Sequence, residues 1–195
     1  MKTPPEFHIQ PLGPHQNRAD FSCGVEALDN YLKRQAPQDV KRRVAAAFML
    51  SPDGRIIAGY YTLSQFSVEL DTIPRHIAKR LPRYPMVPAT LVGRLAVGDA
   101  FRGRGLGEML LMDALQRSLM LSMQIASPAV IADAKNDRAR RFYLKYGFLE
   151  LPGISGRLFL PIKTIEQLFQ LGALHGFGPL APNSTRQCLA RVPTK

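Results

Sequence analysis

Residues 136–148 read Asn136-Asp137-Arg138-Ala139-Arg140-Arg141-Phe142-Tyr143-Leu144-Lys145-Tyr146-Gly147-Phe148. Ala139, Phe142, Tyr143 and Tyr146 stand at i, i+3, i+4 and i+7, which puts them on one face of a helix predicted over residues 137–146. Asn136 is placed to cap that helix with a side-chain oxygen, and Gly147 to stop it. Phe142 and Phe148 read as packing residues. Tyr143 carries a hydroxyl that needs a partner if it is buried.

About thirty residues upstream, Arg102-Gly103-Arg104-Gly105-Leu106-Gly107 separates a strand predicted over residues 90–97 from a helix predicted over residues 105–123. Gly107, Leu110, Leu111, Ala114 and Leu115 share one face of that helix. The glycines permit a tight turn and a close approach to the main chain. The first amides of the helix have no intrahelical partner, and the dipole favours an anion in front of them. A pyrophosphate satisfies both demands, and Arg102 and Arg104 add charge-assisted donors. The segment has neither the Lys-Ser/Thr pair of a P-loop nor the third glycine of the dinucleotide fingerprint.

In this order and at this separation, the two segments resemble the GNAT acetyltransferases. The glycine-rich segment looks like their pyrophosphate loop, and residues 136–148 look like their second CoA-contacting helix. The resemblance extends over roughly residues 7–162. It implies a mixed α/β (α+β) fold, in which a central, mostly antiparallel sheet splays between its two middle parallel strands and is flanked by helices. It implies acetyl-CoA as acetyl donor and no metal. The residues matching the CoA contacts are Leu95, Ala96 and Val97 on the splayed strand, Arg102, Gly103, Arg104, Gly105, Leu106 and Gly107 in the loop, and Asn136, Ala139 and Phe142 on the second helix. Main-chain N–H groups near Leu95 to Val97 would line the pantetheine arm and polarise the thioester carbonyl, which asks nothing of their side chains. Tyr143 lies on the helix that flanks the CoA sulfur in the family. It is therefore the expected general acid for the departing thiolate, with Tyr146 as fallback on the same face. A free phenol near pKa 10 holds its proton at neutral pH.

Further segments resemble the toxin branch of the family: Asp20-Phe21-Ser22-Cys23-Gly24, Leu28-Asp29, Tyr31-Leu32, Gly59-Tyr60-Tyr61-Thr62-Leu63, Gly93-Arg94-Leu95-Ala96-Val97 and Leu158-Phe159-Leu160-Pro161. That branch acetylates the α-amine of aminoacyl-tRNA, blocking translation, and is held inactive by a ribbon-helix-helix antitoxin. The resemblance thus implies aminoacyl-tRNA and such an antitoxin as partners; a homodimer is compatible with it. No catalytic base stands out, since His8, His15, His76 and His175 lie outside the motifs. An α-amine near pKa 7.7 is substantially neutral at pH 7 to 8, whereas a lysine near 10.4 needs help, so the absent base favours an α-amine acceptor.

Charge points the same way. The chain has 195 residues and a formal net charge of +11, more than one anionic cofactor requires. Such an excess attracts polyanions and repels small cations. Lys33, Arg34, Lys41, Arg42, Arg43 and Arg94 are the expected acceptor-binding residues, with the basic run from Arg75 to Arg83 beside them. Stacking aromatics are few, so recognition of RNA by shape and charge is expected.

Elsewhere the pattern is that of one ordinary domain, with 46% hydrophobic and 21% charged residues. A short edge strand is expected over residues 7–12, a helix over 20–35 and a β-hairpin from residues 44–50 and 55–63 around Pro52-Asp53-Gly54. The proline-rich, basic segment 72–90 reads as an excursion. A buried strand is expected over 129–134, closing strands over 148–151 and 157–160, and a last helix over 162–169. The acetyltransferase domain is expected over 1–170 and a flexible Gly/Pro-rich tail over 171–195. The two cysteines, Cys23 and Cys188, have neither disulfide-framework nor zinc spacing. No apolar run suggests a signal core or membrane span, so a cytoplasmic protein is expected. Two other readings stay open on sequence: a GNAT enzyme acetylating a protein N-terminus or a small amine, and a non-catalytic GNAT fold that binds RNA or a partner. The intact motif residues speak against the second.

Overall fold

The computed structural model describes residues 6–79, 81 and 83–174. Seven strands form one sheet: β1 (His8–Pro11), β2 (Ala46–Ser51), β3 (Gly59–Glu69), β4 (Met86–Val97), β5 (Ala129–Asp133), β6 (Leu149–Glu150) and β7 (Arg157–Pro161). Their spatial order is β1-β2-β3-β4-β5-β7-β6. Every neighbouring pair is antiparallel except β4 and β5, which run parallel. The helices are α1 (Glu26–Asn30), α2 (Ala36–Lys41), α3 (Arg75–Ala78), α4 (Leu106–Ser122), α5 (Asp137–Lys145) and α6 (Ile162–Leu174).

The turn between β2 and β3 forms as its Pro-Asp-Gly signal predicts. The Asp53 carboxylate accepts from the amides of Arg55 and Ile56, both at 2.8 Å, and Gly54 takes φ +79°. The expected helix over residues 20–35 is displaced. Residues 20–25 are a loop that buries Phe21 and Cys23, and the Asp29 carboxylate accepts from the Cys23 amide at 2.9 Å. Helix begins only at Glu26 and runs to Lys41, through a π-helical turn over Tyr31–Gln35. In that turn the Ala36 amide reaches back to the Tyr31 carbonyl, one residue further than in an α-helix. Pro37 comes next. It has no N–H to give and would crowd the carbonyl one turn earlier, so the widened turn admits it.

β4 starts four residues before its expected beginning at Thr90. Met86 and Pro88 are exposed while Val87 and Ala89 are buried, a strand alternation that continues through the prolines. Pro88 pairs with Ser67 on β3 and lies before Thr90, where pairing with β5 begins, so no ladder bond is lost on that side. The basic excursion is therefore shorter than expected: residues 70–85, with a 3-10 turn at Leu70–Thr72 followed by α3. α6 runs on to Leu174, past the expected end at residue 169. The expected tail beyond that point lies outside the described residues.

Each face of the sheet carries its own packing. On one face Tyr61, Leu63, Val92, Val130 and Ala132 pack with Leu110, Leu111, Tyr143 and Ile165, so α4, α5 and α6 cover it. On the other, Met49, Tyr60 and Ala96 pack with Tyr31, Leu32 and Ala36, while Val87, Ala89 and Ile131 pack with Ile73 and Ile77. The α1–α2 and α3 regions thus sit as two separate covers on this second face.

Gly59 begins β3 where α4 comes closest. A Cβ there would stand 2.8 Å from the Ala96 carbonyl oxygen and 2.8 Å from Leu110 Cδ1. The backbone oxygen cannot step aside cheaply. Gly59→Ala is expected to destabilise the fold by about 1–3 kcal/mol through overpacking, read as a lower denaturant midpoint at an unchanged slope.

Candidate active site

The parallel pair at the sheet's centre is short. β4 matches β5 only through Thr90↔Val130, Leu91↔Ile131 and Val92↔Ala132, although β4 continues to Val97. The departure coincides with a bulge. Thr62 pairs with Arg94 and Leu63 with Val92, leaving Gly93 without a partner on β3. A bulge bends its strand and changes which face the next side chains take. Val92 therefore packs with the α4 cluster, while Arg94 turns to the other face and lies over the Tyr31 ring at 3.5 Å. A Cβ at Gly93 would come within 3.1 Å of the Thr62 hydroxyl, which suits glycine to the bulged position.

Beyond the bulge, one edge of β4 is open. The Gly98 amide donates to the Ala58 carbonyl at 2.9 Å, on the β3 side. Alternation then directs the main-chain groups of Ala96 to β3 and those of Leu95 and Val97 into the gap left by β5. The sheet thus offers two strand residues whose polar main chain has no strand to pair with, which is the arrangement expected for the pantetheine arm.

The glycine-rich loop stands at the mouth of this gap. Gly103 and Gly105 take φ +76° and +72°, and a Cβ on either would meet nothing within 4 Å. Among the described backbone hydrogen bonds, none uses the amides of residues 103–107 as donors. The Gly105 carbonyl accepts from Glu108 at 3.0 Å and closes the first turn of α4. The result is a run of free amides at a helix N-terminus facing open space, a cradle that fits a diphosphate. Gly107 closes the contact between elements: a Cβ there would lie 3.8 Å from both the Phe142 ring and Val97. The ends of β4, α4 and α5 therefore meet at one place.

The two arginines of the loop are less free than their sequence suggests. Arg102 pairs with Asp99 at 2.7 Å and donates to the Cys23 carbonyl at 2.5 Å, tying the loop to residues 20–25. Arg104 lies over the Phe101 ring, 5.5 Å from its centre. Asn136 caps α5 as expected, accepting from the Ala139 amide at 2.9 Å. Its side-chain NH2 remains available as a donor.

Tyr143 is the buried residue of α5. Its ring is tilted against Phe148 at 5.2 Å and edge-on to Phe142 at 5.3 Å. No described group hydrogen-bonds its hydroxyl, and among the described residues no fully enclosed side-chain polar atom lacks a partner. The hydroxyl oxygen therefore keeps an opening to solvent while the ring is packed. Burial, and secondarily the nearby charge of Asp133, push this phenol well above the ordinary tyrosine range. Tyr146 is only partly covered and is pushed up less, by burial and by Glu108.

The residues expected to hold the acceptor lie across the sheet from the cradle. Lys33 and Arg34 are exposed on the π-helical turn, and Lys41, Arg42 and Arg43 end α2. Arg43 takes φ +58° at the helix terminus, where glycine or asparagine is usual, and its side chain is exposed. Arg94 joins this group through Tyr31, whose hydroxyl donates to Asp39 at 3.0 Å. Burial and that carboxylate raise the Tyr31 phenol to about 12. A cavity of about 740 Å³ opens between the β5–α5 junction and the β6–β7 loop, bordered by Lys135, Asn136, Arg140 and Ser155.

The profile of the acetyltransferase (GNAT) domain matches residues 47–150, which span β2 to β6 and hold the bulge, the cradle and α5. The chain belongs to the GNAT acetyltransferase family. Among its relatives is a probable toxin TacT of Sinorhizobium fredii, 32% identical over 169 residues, covering 82% of this chain and 93% of the relative. A tRNA-acetylating toxin of Mycobacterium tuberculosis is 34% identical over 148 residues, covering 76% of this chain and 87% of the toxin. AtaT complexed with acetyl-methionyl-tRNAfMet superposes with a TM-score of 0.79 at 29% identity, covering 84% of this chain and 99% of AtaT. A tyrosine-to-phenylalanine mutant of the AtaT toxin, bound to the C-terminus of the antitoxin AtaR and acetyl-CoA, superposes with a TM-score of 0.73 at 27% identity, covering 85% of this chain and 99% of that one.

Sequence reasoning locates the glycine-rich turn before α4, the Asn136 cap of α5 and the helix that carries Tyr143. It misses Tyr31 as the support of Arg94, and Asp133 beside Tyr143. The first follows from the Gly93 bulge, which turns Arg94 to the second face; the second follows from the meeting of β5 with α5, which is tertiary.

Proposed function

We propose that this protein transfers the acetyl group of acetyl-CoA to the α-amine of aminoacyl-tRNA, and that it does so as a toxin that blocks translation in the cytoplasm. The observation that carries this reading is the likeness, over most of both chains, to a toxin solved in complex with acetyl-methionyl-tRNA. The geometry fits two substrates arriving from opposite faces: a diphosphate cradle with Tyr143 on the α4–α5 face, and exposed cations at the end of α2 on the other. When bound, acetyl-CoA supplies the acetyl group as a thioester, which an amine attacks without a covalent enzyme intermediate. The open main chain of Leu95 and Val97 holds the donor's arm, and Tyr143 carries the proton that the thiol needs on leaving. A ribbon-helix-helix antitoxin is the expected regulator, and a homodimer is compatible with the fold.

The direct test incubates the protein with labelled acetyl-CoA and either charged or uncharged bulk tRNA. Label on charged tRNA alone is expected; label confined to protein or small amines would overturn the acceptor. A second measurement concerns the basic corner. Reversing Lys41, Arg42 and Arg43 to glutamate is expected to weaken tRNA binding and to lower its salt slope by about 0.7–0.9 for each phosphate that is no longer neutralised. Acetyl-CoA affinity should hardly move, because the cradle lies on the other face. An unchanged salt slope would remove these residues from the RNA interface.

A further inference from the structure

We propose that the Asp133 carboxylate, held by Arg157 at the C-terminal end of β5, is the group that receives and orients the acceptor amine opposite Tyr143. This inference rests on the acetyltransferase reading given above and adds an acceptor-side residue to it.

Asp133 is placed by strand alternation. On β5, Val130 and Ala132 pack with the α4–α5 cluster, while Ala129 and Ile131 pack with the opposite one. Asp133 follows on the second face. Its partner on β7 obeys the same order: Leu158 and Leu160 pack with the α4 cluster, Phe159 with the other, and Arg157 stands opposite Asp133 in register. Arg157 grips the carboxylate with two bonds, Nε to Oδ1 at 2.8 Å and an Nη to Oδ2 at 3.1 Å. The guanidinium also lies over the Phe66 ring at 4.8 Å, so it is fixed at both ends. The pair is not sealed. The Asp133 side chain is 32% exposed and the Arg157 side chain 25%.

This position is one residue past Ala132, where β5 stops pairing with β4. Asp133 therefore borders the gap from the second face, while Tyr143 approaches it from the first. Asp133 lies near enough to Tyr143 that, after burial, its charge also raises that phenol. A thioester carbonyl lodged in the gap would have an acid on its sulfur side and a fixed carboxylate on the side from which an amine must arrive. A cationic surface repels an amine in its ammonium form, so an anion at the point of attack answers a need that the basic residues cannot meet.

The step balances. The amine nitrogen bonds to the acyl carbon and the carbon–sulfur bond breaks. An acceptor that docks as ammonium first gives one proton up through Asp133 to water; the neutral nitrogen then attacks and its second proton leaves by the same route, while the Tyr143 proton goes to the departing sulfur and is replaced from solvent.

The test compares Asp133→Asn, of nearly equal size, with Arg157→Gln, which breaks the same ion pair but leaves the carboxylate. Rates are measured with aminoacyl-tRNA and, in parallel, with a peptide α-amine. Inhibition by uncharged tRNA and calorimetric binding of acetyl-CoA are measured for each variant. Asp133→Asn is expected to lower kcat/KM about 10²-fold with whichever amine the parent protein accepts, as for a misplaced reactant. The inhibition constant of uncharged tRNA and the acetyl-CoA affinity should hold. Arg157→Gln should lose a similar amount of thermal stability but no more than about tenfold in rate. Equal rate losses in the two variants, or an Asp133→Asn rate within a few-fold of the parent, would overturn the assignment. Failure of the parent on charged tRNA with success on the peptide would overturn the acceptor class and leave the role of Asp133 to be read from the peptide rates.

Discussion

Tyr143→Phe is expected to fold, to bind acetyl-CoA with its affinity unchanged, and to lose about 10²–10⁴-fold in turnover. The prediction separates the two jobs of one side chain. The ring makes the packing contacts with Phe142 and Phe148, and phenylalanine keeps both. The hydroxyl makes no hydrogen bond to a described group, so its removal orphans no partner and costs little stability. What disappears is the proton. Stability by denaturant titration, acetyl-CoA binding by calorimetry and single-turnover transfer rates check the three parts. Turnover within a few-fold of the parent would remove Tyr143 from the mechanism and direct attention to Tyr146.

The shifted phenol fixes the sign of the pH dependence. An acid raised above its ordinary range is more completely protonated at every pH below it. Burial and Asp133 raise Tyr143, so the donor form is full across neutral pH and above. The titration that shows should belong to the acceptor. With an α-amine near pKa 7.7, kcat/KM is expected to rise from about pH 6 to 8 and then level, with no fall below about pH 9. A descending limb in that range, abolished by Tyr143→Phe, would contradict the direction of the shift.

How far the sequence reaches depends on whether the signal is local. The α5 cap and stop are local chemistry: one asparagine oxygen on one amide, and one glycine at φ +83°. The cradle is likewise local, since glycines before a helix leave amides free whatever surrounds them. The π-helical turn is half-local. Pro37 shows that a regular helix cannot run through it, yet the sequence does not say that the chain widens a turn rather than stops. β4 reads short in the sequence because prolines weigh against strands. Only the tertiary pairing shows that Pro88 lies where β5 does not reach. Arg102 reads as a phosphate ligand, but Asp99 three residues before it and the Cys23 carbonyl, distant in sequence, claim it in the fold. Asp133 reads as nothing more than the end of a buried strand. Its meaning comes from an arginine 24 residues away and a tyrosine on another helix.

Gly105→Glu is expected to abolish detectable acetyl-CoA binding, and the reason can be divided by a second variant. Gly105 has φ +72°, a left-handed conformation that costs a side-chain-bearing residue about 1–2 kcal/mol. Gly105→Ala carries that strain alone. Its methyl would meet nothing within 4 Å, so it clashes with no protein atom and should weaken binding only modestly. Glutamate adds a carboxylate on a flexible stem in the space where the free amides of residues 103–107 face a diphosphate. The added carboxylate sets like charge against the diphosphate, in a site that holds its ligand by the attraction of helix dipole and free amides for an anion. A loss of about 10²-fold or more, ~2.7 kcal/mol, is therefore expected beyond that of alanine. The fold should survive both changes, because the loop is exposed and α4 is held by Leu106, Leu110, Leu111, Ala114 and Leu115 in the core. Calorimetry of the two variants beside the parent decides it. Equal losses for alanine and glutamate would mean that the loop's shape matters and its charge does not. Unchanged affinity for glutamate would mean that the donor's phosphates lie elsewhere, and the run of open amides before α4 would then need another ligand.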